Sequence, residues 1–537
     1  MDKILNTIYN AIDDKKGGNT RILDISAITT IADYFIVTSG NNYNQVRAIA
    51  DNVEEELLKK HGMRPERVEG YNNGEWILLD YIDYVIHVFD REQRLFYDIE
   101  RIWSDGKEIM DYCDVQKYLD SVGRMGSVPG LTAIKALLLE LKNPEKNLKV
   151  IHIAGTNGKG STGAFIDKIL TNAGLTTGRY SSPAVMEPLE IIRINGKNIG
   201  CEDFSEVVTE VKAARERLAE DNIYPTRFEV ETASAFLFFS RKKVDVAIIE
   251  CGMGGLLDAT NVFEEVLCSV ITSISMDHTD FLGDTLEKIA FNKAGIIKDH
   301  CPVVTCNRDE AVAKVIEQEA ALKKAPLIQV KDAVLSETGS QEPELIFSYE
   351  EYENLKCGLK GIYQTVNAAA AIETVKVLKN SGYDISDDNI RDGIENTYWP
   401  GRFEIIHNNP LVITDGAHNP DGARALSETL RYYFGNKKHT FLIGIFKDKD
   451  IYGILDEIMD LADNVIVIET PGNIRAADCE HVASIIKERY NINAEPFKDV
   501  KDGVLRCLEL CTDSVVTFGS LSNIKRIKEI IKNDYRR

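Results

Sequence analysis

A glycine-rich segment at residues 155–161 has the residue types and spacing of a phosphate-binding loop. It has the sequence GTNGKGS and lies between an apolar run at 150–154 and a helical pattern from Ser161 to about Asn172. In such a loop, backbone N–H groups and a helix N-terminus attract phosphate, Lys159 can reach the β- and γ-phosphates, and the Ser161 hydroxyl can bind Mg²⁺. A turn that only caps a helix is disfavoured, because strand, loop, Lys-x-Ser and helix occur in this order. We therefore predict nucleotide binding by Gly155, Thr156, Asn157, Gly158, Lys159, Gly160 and Ser161.

A carboxylate that ends a neighbouring buried strand is the usual companion of such a loop. The run VDVAIIE ends at Glu250 and is followed by CGMGG. An unpartnered carboxylate at the end of an apolar strand is costly, so we favour coordination of Mg²⁺ over a structural ion pair. A third apolar run, VLCSVITSIS, leads to Met276-Asp277-His278. On local sequence alone, a structural role is favoured for His278.

Around these residues, apolar runs alternate with longer helical patterns. The runs at 149–154, 244–250 and 266–273 predict strands buried on both faces, and a second series begins near residue 401. This alternation is typical of βαβ units with a parallel sheet. We predict an α/β fold with a P-loop parallel-sheet ATPase domain over 111–400 and a Rossmann-like α/β domain over 401–537. The strands predicted in the latter are 411–414, 440–446, 464–469 and 514–518.

The first 108 residues form a smaller α/β pattern that carries no convincing catalytic set. Periodicity predicts helices at 4–12 and 44–60, and a short helix that ends near Trp103. Strands are predicted at 33–39, 76–81 and 84–89. The polar segment Ser104-Asp105-Gly106-Lys107 is the predicted domain boundary.

Composition excludes several classes of function. The chain has 537 residues, a formal net charge of -22 and 44% hydrophobic residues. The negative charge argues against non-specific binding to DNA. The N-terminus has no signal-peptide pattern, and no apolar run approaches 18 residues, so neither secretion nor membrane insertion is expected. Ten scattered cysteines without a CxxC pair suit reduced thiols. A cytoplasmic protein is predicted.

Several ordered motifs bring out a family resemblance over residues 111–537. After GTNGKGS come SSP at 181–183, ECGMGGLLDATN at 250–261, MDHTDFLGDT at 276–285, KAGIIK at 293–298, WPGRFE at 399–404 and DGAHNP at 415–420. This order resembles the folylpolyglutamate synthase/dihydrofolate synthase family of the Mur ligase superfamily. Gly-Ser after Lys159 resembles the folate branch, since the peptidoglycan ligases usually have two threonines there.

The resemblance implies a metal site with two Mg²⁺ ions. Ser182, Glu250 and His278 match family residues around these ions, in addition to Ser161, which makes His278 a predicted ligand. Lys293 matches a lysine that is often carbamylated in the superfamily, whereas on sequence grounds alone it is an ordinary lysine on a helix surface.

The resemblance also assigns residues to the nucleotide. Asn367 matches the asparagine near the base, and Arg402, Asp415 and His418 match groups that reach ATP from the C-terminal domain. Three departures concern the pterin side: Ala184 stands where the family often has His, Leu189-Glu190-Ile191 replaces Asn-Glu-Arg, and Tyr363 replaces the common His before Gln.

The implied reaction is ATP-dependent addition of L-glutamate to the carboxylate of a folate or dihydropteroate through an acyl phosphate. Lys159, His278 and Lys293 are its candidate catalytic residues, and closure of the C-terminal domain is expected to exclude water. One alternative is a Mur-type peptidoglycan ligase, which needs an N-terminal domain for a UDP-sugar. The other is a P-loop regulatory ATPase associated with the ribosome.

Residues 1–108 are similar to the ribosomal silencing factor (Iojap-like) family. The resemblance rests on DYFIVTSG, QVRAIADNVEEEL, RVEGYNNGEWILLDY, VIHVF and RLFYDIERIW. It implies a nucleotidyltransferase-like fold without catalysis, which binds a protein of the large ribosomal subunit and blocks subunit joining. With 13 Lys and Arg against 20 Asp and Glu, this segment suits a basic protein partner better than rRNA. Trp76 and Tyr81 are candidate interface anchors, with a core role for Trp76 left open.

Overall fold

The computed structural model of this protein describes residues 3–103, 105–123, 130–336, 343–511 and 513–534. The helices are α1 (Lys3–Asp14), α2 (Tyr43–His61), α3 (Arg91–Tyr97), α4 (Tyr112–Gly123), α5 (Thr132–Glu140), α6 (Lys159–Asn172), α7 (Cys201–Ala219), α8 (Arg227–Lys242), α9 (Thr279–Leu282), α10 (Leu286–Ala294), α11 (Glu310–Leu322), α12 (Gln364–Asn380), α13 (Asp387–Glu395), α14 (Pro420–Phe434), α15 (Ile451–Asp456), α16 (Cys479–Tyr490), α17 (Val500–Leu510) and α18 (Ile524–Asp534).

The strands are β1 (Gly18–Asp24), β2 (Tyr34–Gly40), β3 (Arg67–Glu69), β4 (Trp76–Asp80), β5 (Tyr84–Asp90), β6 (Lys107–Ile109), β7 (Val150–Ala154), β8 (Thr177–Tyr180), β9 (Ile192–Ile194), β10 (Lys197–Asn198), β11 (Val246–Glu250), β12 (Cys268–Ile271), β13 (Val303–Thr305), β14 (Leu327–Gln329), β15 (Val334–Leu335), β16 (Leu345–Tyr349), β17 (Tyr352–Cys357), β18 (Glu404–Asn408), β19 (Leu411–Thr414), β20 (His439–Ile443), β21 (Ala462–Ile468), β22 (Asn493–Phe497) and β23 (Ser514–Phe518).

Contacts divide the chain into two compact units. The first comprises residues 1–128, 136–142 and 200–238, and the second comprises 129–135, 143–199 and 239–537. The first unit therefore contains α7 and most of α8 as well as the N-terminal segment. None of the helices in the described residues is long and apolar enough to span a bilayer.

The first unit contains a six-stranded mixed sheet in the order β3-β4-β5-β2-β1-β6, in which β2 and β5 are parallel. The predicted helices and strands of this segment are confirmed as α1, β2, α2, β4, β5 and α3, the last followed by a 3₁₀ turn that ends at Trp103. Strand β1 was not predicted. Of the predicted boundary segment, Ser104 lies outside the described residues and Lys107 begins β6, which pairs with β1 through Ile22 and Ile109.

The second unit contains the predicted parallel sheet, in the order β10-β9-β8-β11-β7-β12-β13-β14. Strands β8, β11, β7, β12, β13 and β14 run parallel, and every residue of β7, β11 and β12 is buried. A further sheet, β18-β19-β23-β20-β21-β22, is parallel except for its edge strand β18. The α/β prediction is confirmed. Since β7, β11 and β12 are neighbours, the segments that follow them meet at one edge of the sheet.

Candidate active site

A cavity of about 350 Å³ lies in the second unit at this edge of the parallel sheet. It brings together all the ligase site residues predicted from sequence, although these are up to 263 positions apart along the chain (155 to 418). Its wall includes the 155–161 loop, Ser182, Pro183, Glu250, Ser273, Asp277, His278, Lys293, Tyr363, Asn367, Arg402, Asp415, His418 and Leu521.

The phosphate loop follows β7 and leads into α6, which begins at Lys159, two residues earlier than predicted. Gly158 is the N-cap with φ of 91°, a conformation that L side chains rarely adopt, and a Cβ there would lie 2.3 Å from Asn367 Oδ1. No side chain caps the helix. The N–H groups at the helix start are therefore available to an anion.

The side chains of Lys159 and Ser161 differ in their hydrogen bonding. Lys159 Nζ donates to the carbonyls of Gly155 at 3.0 Å and Thr156 at 3.2 Å, so the ammonium lies inside the curve of the loop. Ser161 Oγ is buried and has no hydrogen-bond partner among the residues that the structure describes. Buried hydroxyls are normally hydrogen-bonded, so an orphan at this position fits a missing cation or phosphate ligand.

Glu250 is the last residue of β11 and is only 8% exposed. Burial raises its pKa to about 7, against the opposing effect of Lys159, Arg402 and Arg179. A carboxylate in this position is stabilised by a cation, so its chemistry fits a metal ligand. Among the described residues, no group of three or more His, Cys, Asp or Glu forms a closed metal site. The donors fit Mg²⁺, which binds through a few protein oxygens plus phosphate and water.

The loop after Glu250 is held by Asp258, which is buried. Asp258 Oδ2 accepts from the backbone N–H of Met253 at 2.8 Å, while Oδ1 accepts from Thr260 Oγ1 at 2.6 Å. Thr260 Oγ1 in turn lies 2.9 Å from His152 Nε2 on β7. This polar chain fixes the backbone that carries Glu250 into the cavity.

His278 follows β12 and lies in the cavity with φ of 50°. Its side chain is 40% exposed, and Nε2 lies 4.0 Å from Asp277 Oδ2. Burial lowers the pKa of His278 against the effect of Asp277. A neutral imidazole is the form that binds metal.

Lys293 is not a surface lysine, so the expectation from sequence alone was wrong. It lies on α10, is 3% exposed, and donates from Nζ to the Gly155 carbonyl at 2.8 Å. Two lysine ammonium groups, Lys159 and Lys293, therefore meet at one carbonyl. Burial, and next the charge of Lys159, lower the pKa of Lys293 to about 7. A large share of this amine is consequently neutral near neutral pH.

Asp415 and Arg402, which belong to the part of the chain after residue 400, also line the cavity. Asp415 is buried and accepts from the Phe403 N–H at 2.8 Å and the Ala417 N–H at 2.8 Å. A third donor is Tyr363 Oη, at 2.5 Å from Asp415 Oδ2. The Arg402 guanidinium lies over Gly416, where a Cβ would be 1.9 Å from Nη1.

His418 and Asn367 complete the nucleotide set predicted from sequence. His418 Nδ1 lies 2.7 Å from the Gly416 carbonyl, and burial lowers the pKa of His418 to about 4. Asn367 lies in the first turn of α12 and donates to Gln364 Oε1 at 2.9 Å. The structure thus brings all the predicted site residues to one cavity.

Sequence reasoning missed Lys449, which pairs with a residue of the cavity wall. Lys449 Nζ lies 2.7 Å from Asp277 Oδ1, and both side chains are at most 9% exposed. Burial opposes the shift, but the ion pair with Lys449 holds the pKa of Asp277 far below its usual range. Because Lys449 stands in the charged run FKDKD, its local sequence is typical of solvated surface. Only a long-range contact identifies it.

The N-terminal segment has a different kind of surface, formed by Leu95, Phe96 and Tyr97 on α3. Leu95 is 84% exposed and Phe96 is 79% exposed. The preceding residue, Arg94, is instead largely buried: it pairs with Glu100 at 2.7 Å and donates to Ser39 Oγ at 3.0 Å. We call Leu95, Phe96 and Tyr97 the α3 surface.

Of the two predicted anchors in this segment, Tyr81 is 4% exposed and belongs to the hydrophobic core. Its prediction as an interface anchor was wrong. Trp76 is half-buried, stacks on Phe89 at 4.8 Å and contacts Tyr97 of the α3 surface at 5.1 Å. Trp76 therefore packs against the α3 surface through Tyr97.

Comparison with known families agrees with this arrangement. The family model for the Mur ligase middle domain matches residues 153–375, and that for the Mur ligase glutamate ligase domain matches 401–521. A third model, ribosomal silencing factor during starvation, matches residues 1–126.

Two relatives similar to this chain are synthases of folates. The dihydrofolate synthase/folylpolyglutamate synthase of Bacillus subtilis is 36% identical over 435 residues, which cover 78% of this chain and 99% of the relative. The folylpolyglutamate synthase of Lacticaseibacillus casei is 37% identical and covers 68% of this chain and 87% of its own length.

Solved structures lead to the same family. Mycobacterium tuberculosis folylpolyglutamate synthase, solved with ADP and AMPPCP, has a TM-score of 0.71 at 29% identity and covers 80% of this chain and 100% of its own. Escherichia coli FolC, solved with DHPP and ADP, has a TM-score of 0.71 at 30% identity, covering 80% and 99%. The chain therefore belongs to the folylpolyglutamate synthase/dihydrofolate synthase family of ATP-dependent Mur-type ligases and carries a ribosomal silencing factor domain at its N-terminus.

Proposed function

We propose that this protein joins L-glutamate to the carboxylate of a dihydropteroate or a folate, with cleavage of ATP to ADP and phosphate. The observation that carries the proposal is the cavity in which Lys159, Lys293 and the unpartnered Ser161 hydroxyl surround the phosphate loop, with Glu250 at its edge. The names of the relatives, and the DHPP and ADP bound to the Escherichia coli protein, support this substrate class.

In this proposal ATP lies with its phosphates on the 155–161 loop. Asn367 faces the base, and Arg402, Asp415 and His418 reach the nucleotide from the C-terminal domain. The sequence-based bounds of 1–108, 111–400 and 401–537 for the three domains are part of the same proposal.

Ser161, Ser182, Glu250 and His278 would hold the two Mg²⁺ ions. Mg²⁺ bound there supplies Lewis acidity for the phosphoryl oxygens. The donor chemistry of Ser161 and Glu250 supports this assignment, because one is an orphaned buried hydroxyl and the other is a buried carboxylate with a raised pKa.

The reaction has two steps. A carboxylate oxygen of the acceptor forms a bond to the γ-phosphorus while the bond to the β,γ-bridging oxygen breaks, which gives an acyl phosphate and ADP. The α-amine of glutamate then attacks the acyl carbon, phosphate leaves, and the amine gives up one proton. Lys159 neutralises charge on the transferring group from a position fixed before the reaction, so its contribution is electrostatic and positional.

Lys293 is proposed to carry a carbamate. Its neutral amine forms an N–C bond to carbon dioxide and releases one proton, which converts the neutral amine into an anion beside the proposed metal ligands. The position 2.8 Å from the Gly155 carbonyl and the pKa of about 7 support this step, because only the unprotonated amine reacts.

ADP release by the purified chain tests the proposed ligase. Dihydropteroate, dihydrofolate, tetrahydrofolate and a UDP-linked peptidoglycan precursor are each supplied with ATP and Mg²⁺, with and without L-glutamate. We expect ADP release that requires both L-glutamate and a pterin acceptor. Release with the UDP-linked precursor alone would instead support the peptidoglycan ligase, and release indifferent to glutamate would support a regulatory ATPase.

For the N-terminal domain, we propose binding to a protein of the large ribosomal subunit, which blocks joining of the small subunit. The α3 surface supports this role, because large exposed apolar and aromatic side chains are typical interface anchors. The silencing factor match supports the choice of partner.

Cosedimentation with isolated large ribosomal subunits tests this role. Phe96→Asp is expected to weaken binding at least about tenfold, since it places a charge in the centre of the contact. The matched control is Leu322→Asp, because Leu322 is 75% exposed in the second unit. Equal binding by the wild type and Phe96→Asp would exclude the α3 surface as the docking site.

A further inference from the structure

The loop that follows Ser182 and Pro183 is held in place by one buried side chain. Glu190 is 2% exposed, and its Oε1 accepts from the backbone N–H of Met186 at 3.0 Å and also from that of Val185. Both donors belong to the segment 183–187, which has no regular strand or helix. The position of this segment therefore depends on where Glu190 is held.

Glu190 is itself held by an arginine that stacks on a tryptophan. Arg193 Nη2 donates to Glu190 Oε2 at 3.3 Å, and the Arg193 guanidinium lies 4.8 Å from the ring centroid of Trp399. Arg179, the cross-strand neighbour of Arg193, lies 4.2 Å from the same ring. Two adjacent guanidinium groups repel each other, so the shared aromatic ring offsets part of that cost.

Trp399 also touches the phosphate loop. A Cβ on Gly160 would lie 2.9 Å from Trp399 Nε1, so the glycine allows the indole to lie directly against the loop. Trp399 is 4% exposed and stands three residues before Arg402. One ring thus contacts the loop that binds the phosphates and the arginine that fixes Glu190.

The segment 183–187 lies where the acceptor must arrive. Ser182 and Pro183 line the cavity beside the phosphate loop. In an in-line transfer, the attacking carboxylate approaches the γ-phosphate from the side opposite to the departing ADP. In the proposed function Ser182 would hold Mg²⁺ beside the transferring phosphoryl group, so the chain that continues from Ser182 would lie beside the acceptor rather than beside the base.

We propose that Glu190, Arg193 and Trp399 are positioning residues that set segment 183–187, and with it the acceptor carboxylate, relative to the phosphate loop. The proposal rests on the proposed ligase function and deepens it, because it assigns control of acceptor binding to residues outside the cavity wall. It gives the altered Leu189-Glu190-Ile191 segment a specific role: the retained carboxylate anchors the loop.

Steady-state kinetics with Arg193→Met tests the proposal. The substitution keeps much of the side-chain volume and removes both the hydrogen bond to Glu190 and the cationic contact with Trp399. We expect KM for the pterin acceptor to rise about tenfold, with KM for ATP unchanged within about twofold, because the acceptor is placed against segment 183–187 whereas ATP lies on the phosphate loop. Arg193→Lys, which retains a cation for Glu190, is expected to recover much of the loss.

Two comparisons separate positioning from general loss of stability. Arg424→Met removes an exposed arginine that pairs with Glu457 at 2.9 Å in the same unit, and is expected to leave both KM values unchanged. Glu190→Gln keeps an acceptor oxygen for Val185 and Met186 but loses the ion pair. Its KM for the pterin acceptor is expected to lie between those of the wild type and Arg193→Met. Equal rises in both KM values, or no rise with the acceptor, would overturn the proposal.

Hydrogen–deuterium exchange of residues 183–187 provides a readout that does not need turnover. The amides of Val185 and Met186 are expected to exchange faster in Arg193→Met than in the wild type, with the exchange of helix α14 unchanged. Unchanged exchange at Val185 and Met186 contradicts the anchoring chain. If the wild type shows this protection but no glutamate-dependent ADP release, then the ligase assignment fails while the anchoring chain stands.

Discussion

The phosphate-loop cavity and the α3 surface differ in where they place charge and apolar area. In the cavity, Lys293 and Asp415 are at most 4% exposed. Lys293 donates to the Gly155 carbonyl, and Asp415 accepts from the Phe403 N–H. On the α3 surface, Leu95 and Phe96 are about four-fifths exposed, and α3 has no buried residue.

This difference is the one expected between the proposed catalytic site and the proposed docking surface. Charges in a protected cavity interact strongly and are already placed for charge that develops during a reaction. Exposed apolar side chains gain free energy only when a partner covers them. The two proposed functions of the chain should therefore respond to different substitutions, and the predictions for the cavity run from the largest expected effect to the smallest.

The largest effect is expected for Lys159→Ala. Loss of the loop ammonium should lower kcat/KM at least about a thousandfold, or about 4 kcal/mol, because one preorganised group at a developing charge contributes this much. Glutamate-dependent ADP release measures it, with Lys168→Ala on the same helix as the control. Binding to the large ribosomal subunit should be unchanged. Near-normal turnover by Lys159→Ala would refute the proposed mechanism.

A smaller effect is expected when carbon dioxide is withheld. With a pKa of about 7, the Lys293 amine is mostly neutral at pH 8 and mostly protonated at pH 6, so carbamate formation should fall about tenfold across this range. Protein is incubated with or without bicarbonate at each pH and then assayed at one common pH. The gain in activity on incubation with bicarbonate should follow the fraction of the Lys293 amine that is neutral at each pH.

Lys288→Ala provides the control for this experiment, because Lys288 lies exposed on the same helix as Lys293. It should respond to bicarbonate as the wild type does, whereas Lys293→Ala should be weakly active and indifferent to bicarbonate. A wild type that is as active without bicarbonate as with it, at both pH 6 and pH 8, would rule out the carbamate.

The first unit offers a test of how firmly the N-terminal sheet is joined to helix α7. Lys212 on α7 pairs with Glu108 of β6 at 2.5 Å, with side chains 15% and 11% exposed. Lys212→Met should lower the free energy of unfolding of this unit by about 2 kcal/mol, as expected for a poorly exposed charged hydrogen bond. Urea unfolding of Lys212→Met, Glu108→Gln and the double variant measures the coupling, and additive losses would show that the pair contributes nothing.

The smallest effect is expected for Tyr363→Phe. Asp415 keeps two backbone donors when the tyrosine hydroxyl is removed, so the loss in binding free energy for ATP should be about 1 kcal/mol. We expect KM for ATP to rise about fivefold, with KM for the acceptor unchanged. Tyr433→Phe is the control, because its hydroxyl bonds the Lys360 carbonyl at 2.7 Å outside the cavity. A larger change in KM for the acceptor than in KM for ATP would show that Tyr363 acts on the pterin substrate instead.

Much of the fold followed from local pattern. The buried strands β7, β11 and β12 were predictable because each is a continuous apolar run, and α2 because its apolar residues recur at helical spacing. Strand β1 was missed, since its sequence GNTRILD is mostly polar at its start and its strand character depends on pairing with β2 and β6. Pairing between distant segments leaves little trace in the sequence of either one.

The sequence by itself determined the phosphate loop, since strand, glycines, Lys159, Ser161 and helix are contiguous and their chemistry is local. Family motifs added Ser182 and Lys293 as matches, without their surroundings. The tertiary structure decided that Lys293 is buried against Gly155, that Lys449 pairs with Asp277, and that Tyr81 lies in the core. The physical reason is that burial and electrostatic environment arise from residues far apart in the chain, and these quantities decide which charged groups can act in a reaction.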